Sequence, residues 1–326
     1  MNKAHFLFLI ILIALTSCNN KKVKTAKETY GKTNEVSVII DDQLWNGEVG
    51  DSIRNKFASP VLGLPQEEPV FTLNQYPVKL LEGFMTNSRN IIMIKKESKS
   101  LFRIENNEYT NPQVVVHISG QTVQEILDTI QNNDSLIIDK IKESEIKVYQ
   151  EKIKHDSLLD ITKIRKKFKV KLNIPIKYKM VARGKKFIWL KKEITSGNLS
   201  LIIYQLPLKS IKENTNSLNR ITKIRDSIGR IYIHGVVPRA RMITDPELST
   251  YISMTKIYNK PTFETKGNWE LLNDFMSGPF INYAIIDRPN NRILVIEGFC
   301  YAPSKQKRDL IFELEAIIKS VQFLKK

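Results

Sequence analysis

A chain of 326 residues, 42% of them hydrophobic and 26% charged, is long enough for two ordinary domains around a sizeable apolar core, which excludes a disordered or fibrous protein. Its formal charge of +17 is locally concentrated, because thirteen basic residues and no acidic one fall between positions 161 and 192. Only two cysteines occur, Cys18 and Cys300.

At the N-terminus Lys3 precedes an apolar run from Phe6 to Leu15, and the sequence then reads Leu15-Thr-Ser-Cys18. About ten apolar residues are too few to span a bilayer of roughly 30 Å as a permanent helix, and small residues before a cut admit a peptidase. The pattern predicts a signal peptide over 1–17 with a lipobox, and a diacylglycerol on the Cys18 thiol. Several acyl chains, a palmitate among them, would then hold the protein to a membrane, where one chain alone would bind weakly. Residues 18–35, rich in Lys, Thr and Asn, read as a lipidated flexible tether. With Cys18 consumed by lipid no intramolecular disulfide is expected, and Cys300, inside the apolar run Ile293–Tyr301, reads as a buried small hydrophobe.

The body divides by pattern into an N-terminal α+β domain over 36–166 that ends in a long helical connector, and a C-terminal α+β domain over 167–326. Val36–Ile40 is a strand that ends at Asp41-Asp42, and a helical pattern with Leu44, Ile53 and Phe57 follows. After the proline-punctuated segment 60–69, strands are expected at 70–73, 90–95 and 114–118. From Thr122 to about Lys166 the pattern turns helical. Ile138, Ile141, Val148, Tyr149 and Ile153 form a stripe, Glu143 and Lys147 form an i,i+4 pair, and a break is expected near His155-Asp156-Ser157.

Lys167-Phe-Lys-Val-Lys-Leu172 alternates strictly, which predicts a half-exposed antiparallel strand with Lys167, Lys169 and Lys171 on one face. Further strands are expected at 186–191 and 199–206, then a helix at 217–228, a hairpin over 282–302 around residues 287–291, and a closing amphipathic helix over 304–321. The expected class is α+β, with antiparallel sheets, covering helices, and two sheet-plus-helix layers joined by a long helical segment.

Val38-Ile-Ile-Asp41, Leu44-Trp-Asn-Gly47, Val49–Arg54, Leu64–Phe71 and Arg89–Ile92, followed later by Gly278-Pro-Phe280, Glu297–Pro303, Lys307-Arg308 and Leu314–Ile318, resemble the uncharacterised lipoprotein family catalogued as domain of unknown function 4837. The resemblance runs over nearly the whole mature chain and implies a Bacteroidota envelope lipoprotein. It supplies no catalytic residues. Lipoproteins sent to the surface of such cells often carry acidic residues after the lipidated cysteine, whereas this chain has Asn19-Asn-Lys-Lys-Val-Lys24, which favours an outer-membrane anchor facing the periplasm.

The strong enzyme signatures are missing from the sequence, including Gly-x-Ser-x-Gly, His-Glu-x-x-His, Cys-x-x-Cys and phosphate-binding glycine loops. No cofactor and no metal ligand set is expected, and His117, His155 and His234 are scattered. The acidic constellation Asp41, Asp42, Glu48 and Asp51, with Arg54 and Arg89 and with Glu67-Glu68 in the proline-bounded loop, would serve a ligand or cation if it converged on one cleft. Capping and turn roles are the simpler reading of the same carboxylates. The lysine face suits anionic lipid or lipopolysaccharide, or is a solvated edge kept from pairing; nucleic acid does not fit an envelope address. Asp followed by Ser or Thr and then an aliphatic residue, at Ser52, Thr129, Ser135, Ser157 and Ser227, is similar to an O-glycosylation acceptor pattern of the same bacteria. Ser135 and Ser157, at expected breaks of the connector, fit best. Trp45, Trp189 and Trp269 read as core aromatics rather than a sugar platform. The functional expectation is a non-catalytic envelope binding or assembly factor with an unidentified envelope protein as partner. The alternative is a hydrolase or other enzyme acting on envelope material through an acidic cleft at Asp41 and Asp42, which would require those residues and Arg89 in one pocket.

Overall fold

Residues whose apolar runs are nearly continuous cannot face water on either side, and in the N-terminal half they become parallel strands. The computed structural model describes residues 29–80, 85–211 and 216–324; Cys18 and the tether up to residue 28 lie outside the described residues. Strand β1 (Glu35–Ile39) is followed by short helix α1 (Asp42–Trp45), helix α2 (Glu48–Phe57) and strands β2 (Thr72–Tyr76), β3 (Asn90–Lys96), β4 (Leu101–Asn106) and β5 (Val114–Gly120). Their order is β2-β1-β3-β5-β4. Three pairings are parallel and only β4 runs antiparallel on β5, so this sheet is mixed, where an antiparallel one was expected. Val36, Val38, Ile92, Ile94 and Val116 pack under the helices on one face, while Ile39, Ile91, Met93 and Val115 are buried on the other.

Helix α3 (Val123–His155) is 33 residues long and unbroken. Thr122 starts it by accepting the Glu125 amide, and Lys152 and Lys154 lie in its last turn, cations at the negative end of the helix dipole. Ile126, Ile130, Ile137 and Ile141 pack on the first sheet; Ile153 belongs to the core of the second half. One helix thus contributes to both cores.

The alternation at 167–172 turns out to be a helix end. Helix α4 (Thr162–Phe168) stops at Lys169 in the left-handed conformation (φ 53°), and strand β6 (Val170–Lys171) follows. Ile164 and Phe168 are four apart and both buried, a helical pair, while the reversal at Lys169 still turns Val170 and Leu172 inward. The period-two burial was real, but the backbone is extended only from Val170 onward, after the helix has ended.

Strands β7 (Lys179–Gly184), β8 (Phe187–Ile194) and β9 (Gly197–Pro207) lead to helix α5 (Ser217–Tyr232). Strands β10 (Arg241–Thr244), β11 (Tyr251–Ile257), β12 (Lys260–Leu272), β13 (Ser277–Asp287) and β14 (Arg292–Tyr301), helix α6 (Arg308–Lys319) and strand β15 (Gln322–Phe323) complete the chain. The large sheet is antiparallel throughout, in the order β10-β12-β13-β14-β9-β8-β7, with β11 also on β12; β15 pairs with β6. Helix α6 packs on one face through Leu314, Ile317 and Ile318. Helix α5 lies on the other and reaches both ends of the strand order: Tyr232 stacks on Phe187 of β8 with ring centroids 4.0 Å apart and meets Gly184 of β7, and Gly229 lies against the Met242 carbonyl of β10. The sheet therefore curls around α5, and the class is α+β.

Beneath α5 the guanidinium of Arg225, 1% exposed, donates to Glu297 at 2.9 Å and to Thr244 at 3.0 Å and lies 3.8 Å over the Phe280 ring. Asn282 donates to the second Glu297 oxygen at 2.8 Å, so the buried pair is hydrogen-bonded on both sides. A Cβ on Gly229 would stand 2.2 Å from the Met242 carbonyl oxygen. Gly229→Ala is expected to lift α5 from β10 and lower stability by at least about 2 kcal/mol, read as a reduced urea midpoint with unchanged slope.

Candidate functional site

In open parallel sheets ligands usually gather at the carboxyl ends of the strands. Here Asp41 and Asp42 follow the carboxyl end of β1, while Arg89 immediately precedes the amino end of β3, which runs parallel to β1. The two sets therefore lie at opposite ends of one sheet and do not share a cleft. Asp41, Asp42, Glu48 and Asp51 are exposed. Asp42 accepts from Gln75 at 3.0 Å, Asp51 pairs with Arg54 at 2.7 Å, and Arg54 also lies 4.6 Å over the Trp45 ring. Among the described residues no group of three or more His, Cys, Asp or Glu side chains could hold a metal ion.

The structure gathers its polar chemistry at the amino ends instead. Glu145, in the middle of α3 and 2% exposed, takes Arg89 Nε at 2.6 Å and Asn90 Nδ2 at 2.6 Å on one oxygen, and Arg89 Nη2 at 3.2 Å and the Asn34 amide at 3.3 Å on the other. Asn34 passes the contact on to Asp309 at the start of α6 through a 2.9 Å bond. Next to it, the two carboxylate oxygens of buried Glu68 accept the amides of Lys307 and Arg308 at 2.7 and 2.8 Å, which caps α6 from across the molecule. The loop carboxylate that the sequence offered as a ligand is a helix cap; its neighbour Glu67 is exposed.

Two clefts open on this junction. One, of about 460 Å³, is lined by Lys32, Arg89, Glu145, Tyr149, Lys152 and Asp309 among others. The other, of about 620 Å³, lies between the amide-bearing loop Asn106, Asn107, Asn111 and Gln113 and the α3 face that carries Lys140, Glu143, Lys147 and Glu151. Val148 lines both. The loop wall is held rigidly, since Gln113 donates to the Thr86 and Ser88 carbonyls at 2.8 and 2.7 Å and accepts the Tyr109 amide. Lys147 pairs with Glu143 at 2.9 Å, and hydrogen bonding from that lysine holds the Glu143 carboxyl below its ordinary value against the opposing effect of burial. Amides facing paired charges offer donors and acceptors to a polar ligand.

Sequence reasoning missed a second charged cluster, because its members come from four elements. Lys266 and Glu264 on β12, Tyr283 on β13 and Glu315 with Lys319 on α6 meet behind Lys142 of α3. Tyr283 donates to Glu264 at 2.7 Å and to Glu315 at 3.1 Å, and Lys319 pairs with Glu315 at 2.7 Å. Burial alone would raise the Glu315 carboxyl, but Lys319, Lys266 and Lys142 together hold it at about 2. Burial lowers Lys142 below the ordinary ammonium value.

The remaining sequence candidates stand apart. Lys167 is half-buried and bonds the Gly184 carbonyl, while Lys169 and Lys171 are exposed. Ser135 lies inside unbroken α3, bonded to Asp134 at 3.1 Å, and not at a break; Ser157 is exposed just past the helix end. Ser52 is half-buried in α2, and Thr129 and Ser227 bond carbonyls of their own helices. His117, in mid-strand, meets Glu108 at 2.6 Å; His234 meets the Arg230 carbonyl at 2.8 Å; His155 is exposed. Trp189 and Trp269 flank Phe299 within the sheet core. Cys300 is buried, and burial pushes its thiol up to about 12, far from the thiolate a nucleophile needs.

These features define a two-part α+β protein whose halves are joined through one long helix and a set of buried carboxylates. The chain belongs to the family described as domain of unknown function DUF4837, whose model matches residues 157–320. A second model, domain of unknown function DUF8532, matches residues 29–154, so the N-terminal motifs read as one family with the rest fall in a model of their own, and the two meet at the end of α3. No curated protein matches the chain. Among solved structures, human StAR-related lipid transfer protein 5 aligns at 12% identity over 55% of this chain and 95% of that one, with a TM-score of 0.23.

Glu145→Ala leaves Arg89 without its charge partner and Asn90 with the Glu35 carbonyl alone, and is expected to cost about 3–5 kcal/mol in equilibrium unfolding, whereas Arg89→Met with Glu145→Leu removes both charges and costs much less. Because the Glu315 carboxyl ionises below its ordinary 4.5, its contribution is complete above pH 4.5 and is lost as pH falls toward 2. Acid titration of stability should show that loss, on the order of 3 kcal/mol, and Glu315→Gln should flatten the curve over that interval.

Proposed function

We propose that the protein is a lipid-anchored binding or assembly factor of the cell envelope, tethered at Cys18, facing the periplasm from the outer membrane, and acting without covalent chemistry. The observation that carries the binding half is the 620 Å³ cleft, whose loop wall is held by the Gln113 amide on two backbone carbonyls and whose Glu143 is paired with Lys147. Such a lining suits a polar partner held by many hydrogen bonds, and offers no activated nucleophile beside a base. The envelope half is supported by Leu15-Thr-Ser-Cys18 at the end of an apolar run and by the basic residues that follow. Residues 19–28 reach at most about 35 Å when extended, which keeps the body close to the bilayer.

Cells fed a labelled fatty acid should yield labelled protein in the detergent phase, and Cys18→Ala should carry no label. Unlabelled wild-type protein would refute the anchor. A photo-crosslinking amino acid at Ser144, which lines the cleft, should give a discrete adduct in living cells that the same probe at exposed Lys96, distant in the sheet, does not. Equal patterns at the two positions would refute the cleft as the binding surface. Protease added to whole cells should leave the intact protein untouched if it faces the periplasm.

A further inference from the structure

At the C-terminal end of α5 three turns come together. Gly184, which opens the β7–β8 turn, lies against the Tyr232 ring, and Gly235, just past α5, lies against Leu271 and the Asp274 carboxylate in the β12–β13 turn. The outer surface of this end carries four exposed apolar side chains. Val236 and Phe275 are fully exposed, and Ile231 and Val237 are about half exposed. Large apolar side chains at turn tips, with no cover among the described residues, mark a surface that meets something.

Charge surrounds those tips. Arg230, Arg239, Lys185 and Lys186 are exposed, and among the described residues none of them has a carboxylate partner. One acid, Asp274, sits in the β12–β13 turn and accepts the Phe275 amide at 2.7 Å, a bond that fixes the turn; its single negative charge is outnumbered by the four cations. A shallow recess lined by Arg230, His234, Arg239 and Arg241 lies beside the apolar tips. Apolar side chains at the outermost points, ringed by unpaired cations, complement an anionic bilayer interface, where rings enter the acyl boundary and cations meet headgroup phosphates.

We propose that this end of the molecule is a membrane-docking tip that inserts Phe275 and Val236 into a bilayer bearing anionic lipid. It rests on the proposed envelope address only for nearness to a membrane. The docked state also fixes an orientation, because three turns of one rigid sheet-and-helix unit would touch the bilayer together, which a flexible tether alone cannot impose.

The test uses the full lipidated chain reconstituted in vesicles of phosphatidylcholine with or without phosphatidylglycerol, carrying an environment-sensitive fluorophore on cysteine at Val236, at Phe275, or at exposed Leu136 as control; native Cys300 is buried and unreactive. With phosphatidylglycerol present, a lipid-borne quencher should reduce emission at 236 and 275 by about twofold or more and leave 136 unchanged. Arg230→Glu with Arg239→Glu should abolish that quenching while the fluorophore remains attached and the protein folded by circular dichroism. Equal access of a water-soluble quencher to 275 and 136 would overturn the proposal. Quenching that appears only when other envelope proteins are added would overturn it in favour of a protein partner. An unlabelled Cys18 with a quenched tip would strike the anchor alone, and a labelled Cys18 with a water-exposed tip would strike the docking alone.

Discussion

A carboxylate on the buried face of a helix must be compensated where it stands, and Glu145 obliges α3 to sit where Arg89, Asn90 and Asn34 can reach it. Those three residues mark the amino ends of β1 and β3, so a single side chain sets the height of the helix along the sheet. Asn34 hands the same constraint to Asp309 and hence to α6. Helix α6 in turn presents Leu314 and Ile317 to the large sheet. The relative placement of the two halves therefore follows from polar groups that would each be costly to strand, with apolar contact between Tyr149 and Phe312 filling the space beside them.

Specificity of this kind is needed because the contact between the halves is otherwise undemanding. Ile146, Phe312 and Ala316 would tolerate sliding of one helix on the other. Glu68 on the α6 amides, Gln150 on the Ala316 carbonyl at 2.9 Å, and the Glu315 cluster against Lys142 each accept one register only. Buried charge is an expensive way to gain stability, but it is an effective way to reject near misses, since a shift of one residue would leave several groups unpaired at once. The same device recurs beneath α5, where Arg225 and Glu297 lock the gripped helix to β14.

Apolar pattern made much of the fold legible. Strands β1, β3 and β5, the long helix, the β13–β14 hairpin and α6 all come from runs or stripes that burial later accounts for. The continuous runs at 36–40 and 114–118 also carried the sign of a two-sided parallel sheet, a signal outweighed by the alternating patterns elsewhere. What stayed hidden has a physical reason in each case. Strand β12 contains Pro261, Gly267 and four charged residues whose aliphatic stems lie along the sheet, so its period is masked. Lys169 adopts the left-handed conformation that composition would assign to Gly or Asn. The junction could not be read because Glu145 looks like any solvated helix glutamate until Arg89, 56 residues away, is brought to it.

The candidate site illustrates the same limit from the other direction. Asp41 and Asp42 were conspicuous as adjacent acids at a strand end, yet in space they are solvated and at the opposite end of the sheet from Arg89. Val236 and Phe275 were inconspicuous, each an apolar residue in a short loop, and only the closing of the sheet around α5 brings their two turns together at Gly235 and Asp274. Function on this molecule is written in what the fold juxtaposes at its surface. The net charge of +17 then acquires a direction. Lysines that face carboxylates in the Glu315 cluster contribute little beyond a Debye length, whereas the unpaired cations around the turns at 184–187 and 235–241 project their field outward and would turn the proposed docking tip toward an anionic surface before any side chain touches it.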